Sequence, residues 1–449
     1  MIISISVFGY LMTIIMKYRL MPFLILMGML CFPVTLNATE IADESVSENA
    51  IVVVIDPGHG GKNAGAIYGG YIEKTLTLNT AKAMKEELEK YDGIKVYLTR
   101  DSDVDMELGE RAAFAKEVDA DLLLSLHYNM SELHKLFGTE CWISAFGRCY
   151  AVGRDFSSIE LEMLTKEGLY DRGIKTRLNS RGTDYYGIIR SSTANDIPAV
   201  IIEHCHLDQV NDKPYIDHNT WPQKYGALDA TAVARYFGLK SEQLGVDYSN
   251  EVHEATPVPT ERMSPDDSPP EWCEAEVIQV DEQTGMIRGK LSAYDPDSRI
   301  LYYTVSFNNG KTFGEYYRYE PDENGDVYFE VQAPNKKRTR LVVAALNMYG
   351  GLAQSELLYV GRLTYLPDEE AVEETSATTT QAADLTEESE NPDVDDVPDD
   401  DAAPSKKVQS VSYFALWVLV FGLPILLIGA MWKYSIDKKT RKTKKDDKS

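Results

Sequence analysis

The chain has 449 residues, of which 44% are hydrophobic and 10% aromatic, so it is long enough to bury two or three separate cores. Its formal net charge of −26 argues against nucleic acid as a partner, because polyanions repel one another. The charge is unevenly placed, since residues 368–401 hold fifteen acidic side chains and neither lysine nor arginine.

The first 38 residues have the layout of a signal peptide. Basic Lys17 and Arg19 precede the apolar run MPFLILMGMLCF, and small residues follow it. Translation from Met1 and translation from Met16 both fit this pattern, and so does a longer anchor. We expect the protein to be exported whichever of these interpretations is correct.

Residues 411–432, VSYFALWVLVFGLPILLIGAMW, contain no charged side chain and are long enough to span a bilayer core of about 30 Å as a helix. The acidic, apolar-poor composition of residues 366–407 predicts a disordered tether. The lysine-rich tail at 433–449 indicates the cytoplasmic side of the membrane. We therefore expect a single-pass membrane protein whose other domains face outward.

Between residues 51 and 239, short β-branched runs alternate with amphipathic segments. Four runs predict buried strands: IVVVI, IKVYLTR, ADLLLSLH and IPAVIIEH. Four segments predict helices: LTLNTAKAMKEELEKY, LGERAAFAKEV, SSIELEMLTKEGL and PQKYGALDATAVARYFGL. This alternation is typical of an α/β domain with a mixed, mostly parallel sheet that is covered by helices on both faces.

The pattern changes after this domain. Residues 240–272 lose the periodicity and contain TPVPT and SPDDSPP, which indicate a linker. Residues 273–365 hold seven short alternating segments separated by turns such as NNGK and DENGD, which predict an all-β sandwich. Its many tyrosines fit a half-buried core and also fit a surface that binds a glycan or protein partner.

Four side chains capable of chemistry lie at strand or helix ends of the α/β segment. His59 follows IVVVI within DPGHGG, and His127 ends LLLSLH. Glu203 ends AVIIE, and Glu73 stands at the start of a predicted helix after the glycine-rich GAIYGGYI. Ligands of α/β sheets bind beyond the carboxyl ends of the strands, so the four side chains can converge.

Two imidazoles and one carboxylate that leave a position open form the ligand set of a zinc hydrolase. A second carboxylate can then take a proton from the attacking water and pass it on. Each residue alone has a simpler interpretation, because a histidine after a strand is usually structural and a glutamate at a helix start complements the helix dipole. Their joint occurrence favours catalysis.

Nine segments occur in order between about residues 51 and 239: VIDPGHGGKNAGA, EKTLTLNTAKAMKEEL, VYLTR, ERAAFA, LLLSLHYN, GTE, RG, YYGIIR and IPAVIIEH. In these segments the chain resembles the zinc-dependent N-acetylmuramoyl-L-alanine amidases. The resemblance implies one zinc ion with His59, Glu73 and His127 as its ligands. It also implies Glu203 as the catalytic carboxylate, which returns the proton to the departing alanine nitrogen. The glycines beside His59 are expected to leave room for a bulky sugar-peptide.

Further predictions concern the surroundings of this site. Asn129 and Arg190 are candidates to bind the substrate, although a structural amide and a surface ion pair are the simpler alternatives. The chain departs from the family in HCHLDQVND, where His204, Cys205 and His206 are either rival metal ligands or loop residues that support the site.

Four cysteines remain after removal of the signal peptide: Cys141, Cys149, Cys205 and Cys273. An even number in an exported protein permits disulfides, and a bridge between Cys141 and Cys149 would join neighbouring strands. Free thiols fit the sequence equally well.

Together these predictions describe an outward-facing amidase, anchored in the cell membrane of a monoderm bacterium, that cuts peptidoglycan for wall remodelling or daughter-cell separation. Two alternatives stay open. One is a zinc peptidase that cuts within the stem peptide, and the other is a wall-binding protein that keeps the fold without the activity. The presence of all four site residues counts against the second.

Overall fold

The computed structural model describes residues 50–334 and 338–363 of the chain. Four predicted segments lie outside these residues: the signal peptide (1–38), the tether (366–407), the membrane span (411–432) and the tail (433–449). Within the described part, none of the helices has both the length and the apolar character needed to cross a bilayer.

Residues 51–239 fold around a six-stranded sheet flanked by a small hairpin. The strands of this domain are β1 (Ile51–Pro57), β2 (Ile67–Tyr68), β3 (Tyr71–Ile72), β4 (Ile94–Leu98), β5 (Leu122–Asn129), β6 (Thr139–Ile143), β7 (Asp171–Lys175) and β8 (Ala199–His206). The sheet order is β4-β1-β5-β8-β6-β7, and β2 pairs with β3 separately. Strands β4, β1, β5 and β8 are parallel, while β6 runs antiparallel to β8 and parallel to β7. The predicted mixed, mostly parallel sheet is confirmed.

Five helices cover the two faces of the sheet: α1 (Glu73–Leu88), α2 (Leu108–Glu117), α3 (Gly147–Lys166), α4 (Gly187–Thr193) and α5 (Trp221–Phe237). Helices α1, α3 and α5 bury their apolar side chains in one core, and α2 and α4 bury theirs in the core on the opposite face. Strands β1 and β5 lie between the two cores, which explains why their sequences are continuous apolar runs.

The structure differs from the predicted helices in two places. Helix α3 begins at Gly147, ten residues before the predicted segment, and α4 was not predicted. Because α3 begins early, Cys149 lies on a helix and not on a strand next to Cys141. All four described cysteines are buried free thiols, and burial raises the pKa of the Cys149 thiol to about 11.

The β-rich region consists of two antiparallel sheets. Its strands are β11 (Trp272–Val280), β12 (Met286–Tyr294), β13 (Ile300–Ser306), β14 (Tyr317–Arg318), β15 (Val327–Gln332), β16 (Arg338–Asn347), β17 (Leu352–Gln354) and β18 (Leu358–Arg362), preceded by the hairpin β9 (Lys240–Ser241) and β10 (Val246–Asp247). One sheet has the order β11-β12-β15 and the other β14-β13-β16-β17, with β18 also on β16. Side chains of both sheets share one core. The last predicted strand is divided into β17 and β18.

The β-rich region packs against the edge strand β7 of the α/β domain, and the two belong to one compact unit. Arg299 Nη1 lies 2.8 Å from Asp171 Oδ2 at the start of β7. A β carbon on Gly173 would lie 2.8 Å from the methyl group of Met348. Since an uncovered edge strand offers unpaired backbone groups to other chains, this contact protects the central sheet.

Candidate active site

A left-handed backbone conformation holds His59 just beyond the carboxyl end of β1. Its φ is +61°, which a residue with a β carbon rarely adopts. His59 Nδ1 lies 3.0 Å from Asn63 Oδ1. Because this amide oxygen only accepts hydrogen bonds, Nδ1 carries a proton, and Nε2 is the nitrogen that faces the rest of the site. That Nε2 lies 3.0 Å from Glu73 Oε1.

A chain of hydrogen bonds from α2 fixes the ring of His127. Arg111 Nη1 lies 2.8 Å from Asp56 Oδ1, and Asp56 Oδ2 accepts a hydrogen bond of 2.8 Å from Ser125 Oγ. Since Ser125 donates its proton to Asp56, its oxygen accepts from His127 Nε2 at 3.2 Å. Nε2 of His127 therefore carries a proton, and Nδ1 is the nitrogen that faces Glu73, at 3.0 Å from its Oε1.

Glu73 is the first residue of α1 and is buried between the two imidazoles. Its Oε1 accepts a hydrogen bond of 3.1 Å from the backbone NH of Tyr128, and its Oε2 accepts one of 2.7 Å from that of Ala66. Burial by itself raises the pKa of Glu73, but the adjacent His59 and His127 outweigh it and lower this pKa. The carboxylate is therefore held in its charged form.

The three predicted metal ligands come together as expected. Ligand atoms of His59, Glu73 and His127 all lie within 4.8 Å of one another, and all three residues are buried. Each imidazole is bound by an acceptor at its outer nitrogen and turns its other nitrogen toward the same carboxylate oxygen, so that these three atoms can share one bound cation. The donor set of two imidazoles and one carboxylate suits zinc.

Two glycines near His59 lie against the side chains of the cluster. A β carbon on Gly58 would lie 2.4 Å from Cε1 of His127. A β carbon on Gly65, whose φ is +66°, would lie 2.4 Å from Oε2 of Glu73. These glycines make room for the side chains of the cluster, and the predicted room for a sugar-peptide stays a prediction.

Glu203 lies next to the cluster on the neighbouring strand. It is the register partner of His127 in the parallel pair of β5 and β8, whose strands are about 4.8 Å apart. Glu203 is partly exposed, whereas its neighbours along β8 are buried. The structure therefore places a partly exposed glutamate on the strand next to His127.

The two predicted substrate-binding residues have partners within the protein. Asn129 is buried at the end of β5, and its Nδ2 donates a hydrogen bond of 3.1 Å to Glu140 Oε1. Arg190 Nη1 donates to the backbone carbonyls of Asp184 and Tyr185. The contact of Asn129 matches the structural alternative, whereas those of Arg190 are to backbone carbonyls, and both substrate-binding roles stay predictions.

The three rival metal ligands lie on β8 and are buried. His204 donates from Nδ1 to the carbonyl of His127 at 3.0 Å, and its Nε2 lies 3.1 Å from Asp229 Oδ2. His206 Nδ1 lies 3.2 Å from the carbonyl of Gly138. Burial raises the pKa of Cys205 well above its usual value. Among the described residues, the metal-ligating cluster contains none of the three.

Several residues that orient the cluster were not predicted, although the sequence held a signal for two of them. Ser125 is two residues before His127, so both point to the same face of β5. Asp56, the first residue of DPGHGG, is the acceptor that orients Ser125. Its partner Arg111 is 55 residues away, a separation that local patterns do not reveal.

An α/β domain with a buried His-Glu-His cluster and an adjacent strand-borne glutamate has the layout of a hydrolase. Comparison with known proteins narrows this class. The family model of N-acetylmuramoyl-L-alanine amidases matches residues 53–235. The sporulation-specific N-acetylmuramoyl-L-alanine amidase of Bacillus subtilis is 30% identical over 192 residues, which cover 42% of this chain and 69% of that protein.

Two further relatives have the same description. The amidase CwlM of Bacillus licheniformis is 31% identical over 191 residues, 42% of this chain and 70% of that protein. The catalytic domain of CwlV from Bacillus (Paenibacillus) polymyxa var. colistinus is 28% identical with a TM-score of 0.37, and the match covers 42% of this chain and 99% of that one. The chain belongs to the N-acetylmuramoyl-L-alanine amidase family. The predicted enzyme class, an amidase that hydrolyses peptidoglycan, is confirmed.

Proposed function

We propose that the α/β domain binds one zinc ion through His59 Nε2, Glu73 Oε1 and His127 Nδ1 and cuts the amide between N-acetylmuramic acid and L-alanine. The observation that carries this proposal is that Nε2 of His59 and Nδ1 of His127 both face Glu73 Oε1, each at 3.0 Å, while the other nitrogen of each ring is bound by an acceptor. A zinc ion held there supplies Lewis-acid polarisation of the amide carbonyl and of the attacking water.

The chain's own residues perform the proton transfers. Glu203 accepts the proton of the attacking water and delivers it to the departing alanine nitrogen. Its position supports this role, because it is partly exposed and is the register partner of His127. Asn63 and Ser125 hold the rings of His59 and His127 in the tautomers that leave the inner nitrogens unprotonated.

Digestion of purified peptidoglycan by the full-length protein tests this function. New amino groups on alanine together with intact glycan strands are the expected products. Cleavage between residues of the stem peptide would instead establish a peptidase, and intact peptidoglycan in the presence of zinc would establish a wall-binding protein.

Substitution at Glu203 separates chemistry from metal binding. Glu203→Gln is expected to lower kcat at least about 100-fold, the usual effect of losing a general acid-base group, while the zinc content is unchanged. His59→Ala is expected to lose both zinc and activity. Glu254→Gln, an exposed position in the linker, is the control. Activity retained in Glu203→Gln contradicts the assignment of the proton carrier.

We also propose that the enzyme works outside the cell membrane, on a tether formed by residues 366–407 and a span at 411–432. The support is the sequence alone: an N-terminal signal pattern, an uncharged 22-residue run and a basic tail. The full chain is expected in the membrane fraction, with residues 240–272 open to protease added to protoplasts. A soluble full-length protein would contradict this placement.

A further inference from the structure

A buried ionic cluster lies where the catalytic sheet meets the β-rich region. Glu140 on β6 is fully buried, and its Oε2 lies 2.9 Å from Arg172 Nε and 2.7 Å from Lys175 Nζ. Its Oε1 accepts hydrogen bonds of 3.1 Å from Asn129 Nδ2 and 3.2 Å from Trp142 Nε1. Buried charges are tolerated only when they are paired and hydrogen-bonded, so the position of Glu140 depends on each partner.

Glu140 stands between residues of the active site. It is the register partner of Glu203 in the antiparallel pair of β6 and β8, so the two side chains point to the same face with Cβ atoms roughly 5 Å apart. Its hydrogen-bond partner Asn129 lies two residues beyond His127 on β5. Any displacement of Glu140 is therefore expected to move residues on both β5 and β8, the strands that carry His127 and Glu203.

Tyr302 on β13 joins this cluster to the β-rich region. Its hydroxyl accepts a hydrogen bond of 3.2 Å from Arg172 Nη1 and donates one to the carbonyl of Phe137. The two aromatic rings of Tyr302 and Phe137 meet edge to face with centroids 5.1 Å apart. Tyr302 is only 2% exposed. One side chain of the β-rich region thus holds both the guanidinium of Arg172 and the loop between β5 and β6.

We propose that Tyr302 is a positioning residue for the amidase reaction, so that the β-rich region is part of the catalytic unit. Tyr302 fixes Arg172, Arg172 fixes Glu140, and Glu140 keeps Asn129 and the strand of Glu203 in place. This inference rests on the proposed role of Glu203. It gives the β-rich region a purpose that requires no glycan or protein partner.

Tyr302→Phe in the full chain tests the proposal, because it keeps the ring and removes both hydrogen bonds. With a soluble muropeptide as substrate, kcat is expected to fall about fivefold or more, since small displacements of catalytic groups are costly to the chemical step. KM and zinc content are expected to stay unchanged. Tyr319→Phe is the matched control, because Tyr319 is also buried but its hydroxyl bonds to the backbone of Ala293 within the β-rich region.

A double substitution distinguishes a positioning role of Tyr302 from a general loss of stability. Arg172→Lys keeps the charge but not the guanidinium that reaches both Glu140 and Tyr302. Tyr302→Phe is expected to lower kcat less in the Arg172→Lys background than alone, because both changes break the hydrogen bond between Tyr302 and Arg172. Adding Tyr319→Phe is expected to leave the kcat of Arg172→Lys unchanged.

Two results would overturn the proposal: equal kcat for Tyr302→Phe and Tyr319→Phe, or independent effects of Tyr302→Phe and Arg172→Lys. Failure of the proposed function gives a different result, because Glu203→Gln would then remain active whatever Tyr302→Phe does. The two hypotheses are therefore separately testable with the same substrate.

Discussion

Ser125 orients His127, a proposed metal ligand, without itself belonging to the His59–Glu73–His127 cluster. Its oxygen accepts from His127 Nε2 while its proton goes to Asp56. Ser125→Ala removes the acceptor, so we expect zinc affinity to fall about 10- to 100-fold, as measured by competition with a chelator. Ser144→Ala is the control, because Ser144 also donates to a buried aspartate, Asp184. Equal zinc affinity in the two variants would contradict the tautomer assignment.

Asp56 makes the stability of the α/β domain depend on pH. Burial raises its pKa, but the charge of Arg111 and the hydrogen bonds from Thr99, Arg111 and Ser125 outweigh burial and lower it. A carboxyl whose pKa is lower in the folded chain stabilises the fold above its unfolded pKa of about 3.9. This stabilisation is lost as the pH falls through the lower, folded pKa.

The expected effect of Asp56→Asn on stability follows from the lowered pKa of Asp56. We expect the free energy of unfolding to be lower in Asp56→Asn than in the original chain at pH 6, and the difference to shrink as the pH falls below about 4. Urea unfolding at several pH values measures it. Asp92→Asn, at an exposed position, should show no such trend. A difference that stays constant with pH would mean that the charge of Asp56 is not what stabilises the fold.

At the scale of single residues, the sequence predicted which side chains end the strands, but it did not predict the residues that contact them. His59, Glu73, His127 and Glu203 were predictable because strand ends of an α/β sheet meet at one edge. Arg111, Arg172 and Lys175 were not, because their roles depend on contacts with residues 32 to 55 positions away. The residues that neighbour a basic side chain in the sequence do not indicate whether that side chain is buried or exposed to solvent.

Helices α1 and α5 pack so closely that one glycine separates them. A β carbon on Gly226 of α5 would lie 2.5 Å from the backbone nitrogen of Met84 and 2.8 Å from the carbonyl of Thr80, both on α1. Because α1 carries Glu73 at its first position, the spacing of these helices also sets the position of a cluster residue.

Gly226→Ala is therefore expected to lower the free energy of unfolding by about 1–3 kcal/mol, the usual cost of overpacking. Chemical denaturation measures it. Gly109→Ala is the matched control, because that glycine is also on a helix and a β carbon there meets nothing within 4 Å. The control should be neutral or slightly stabilising. Equal effects of the two substitutions would show that α1 and α5 can move apart without cost.

Helix boundaries were harder to predict than strands. The first half of α3, GRCYAVGRDF, contains Gly147 and Gly153, which obscure the helical period. Gly153 is there because a β carbon would lie 3.0 Å from Ile143 on β6. Helix α4 has only seven residues, too few to show a period. In both cases tertiary packing decides the conformation, which local patterns cannot show.

At the scale of the whole molecule, the β-rich region covers apolar surface of the catalytic domain. Phe137 is 2% exposed and packs with Leu301, Tyr302 and Leu346 of that region. In a fragment that ends at residue 240, the apolar surface around Phe137 is exposed to solvent. Compared with a fragment of residues 41–365, we expect its free energy of unfolding to be lower by at least about 2 kcal/mol, the value of burying one large apolar side chain.

Calorimetry of the two fragments measures this difference, and light scattering measures association through the uncovered edge of β7. A shorter fragment that is equally stable and monomeric would show that the α/β domain is independent of the β-rich region. The two-domain order along the chain was predictable from the change in periodicity. The contact between them was not, because alternating tyrosines look alike whether they face their own core or a neighbouring domain.

The connection between Tyr302 and Arg172 also bears on when the enzyme becomes active during its synthesis. All residues of the His59–Glu73–His127 cluster and Glu203 are made before the first strand of the β-rich region begins at Trp272. Tyr302 is polymerised about a hundred residues after Glu203. If Tyr302 positions the strand of Glu203 as we propose, a nascent chain contains Glu203 before that strand is supported, and we expect full activity only after the β-rich region has been made.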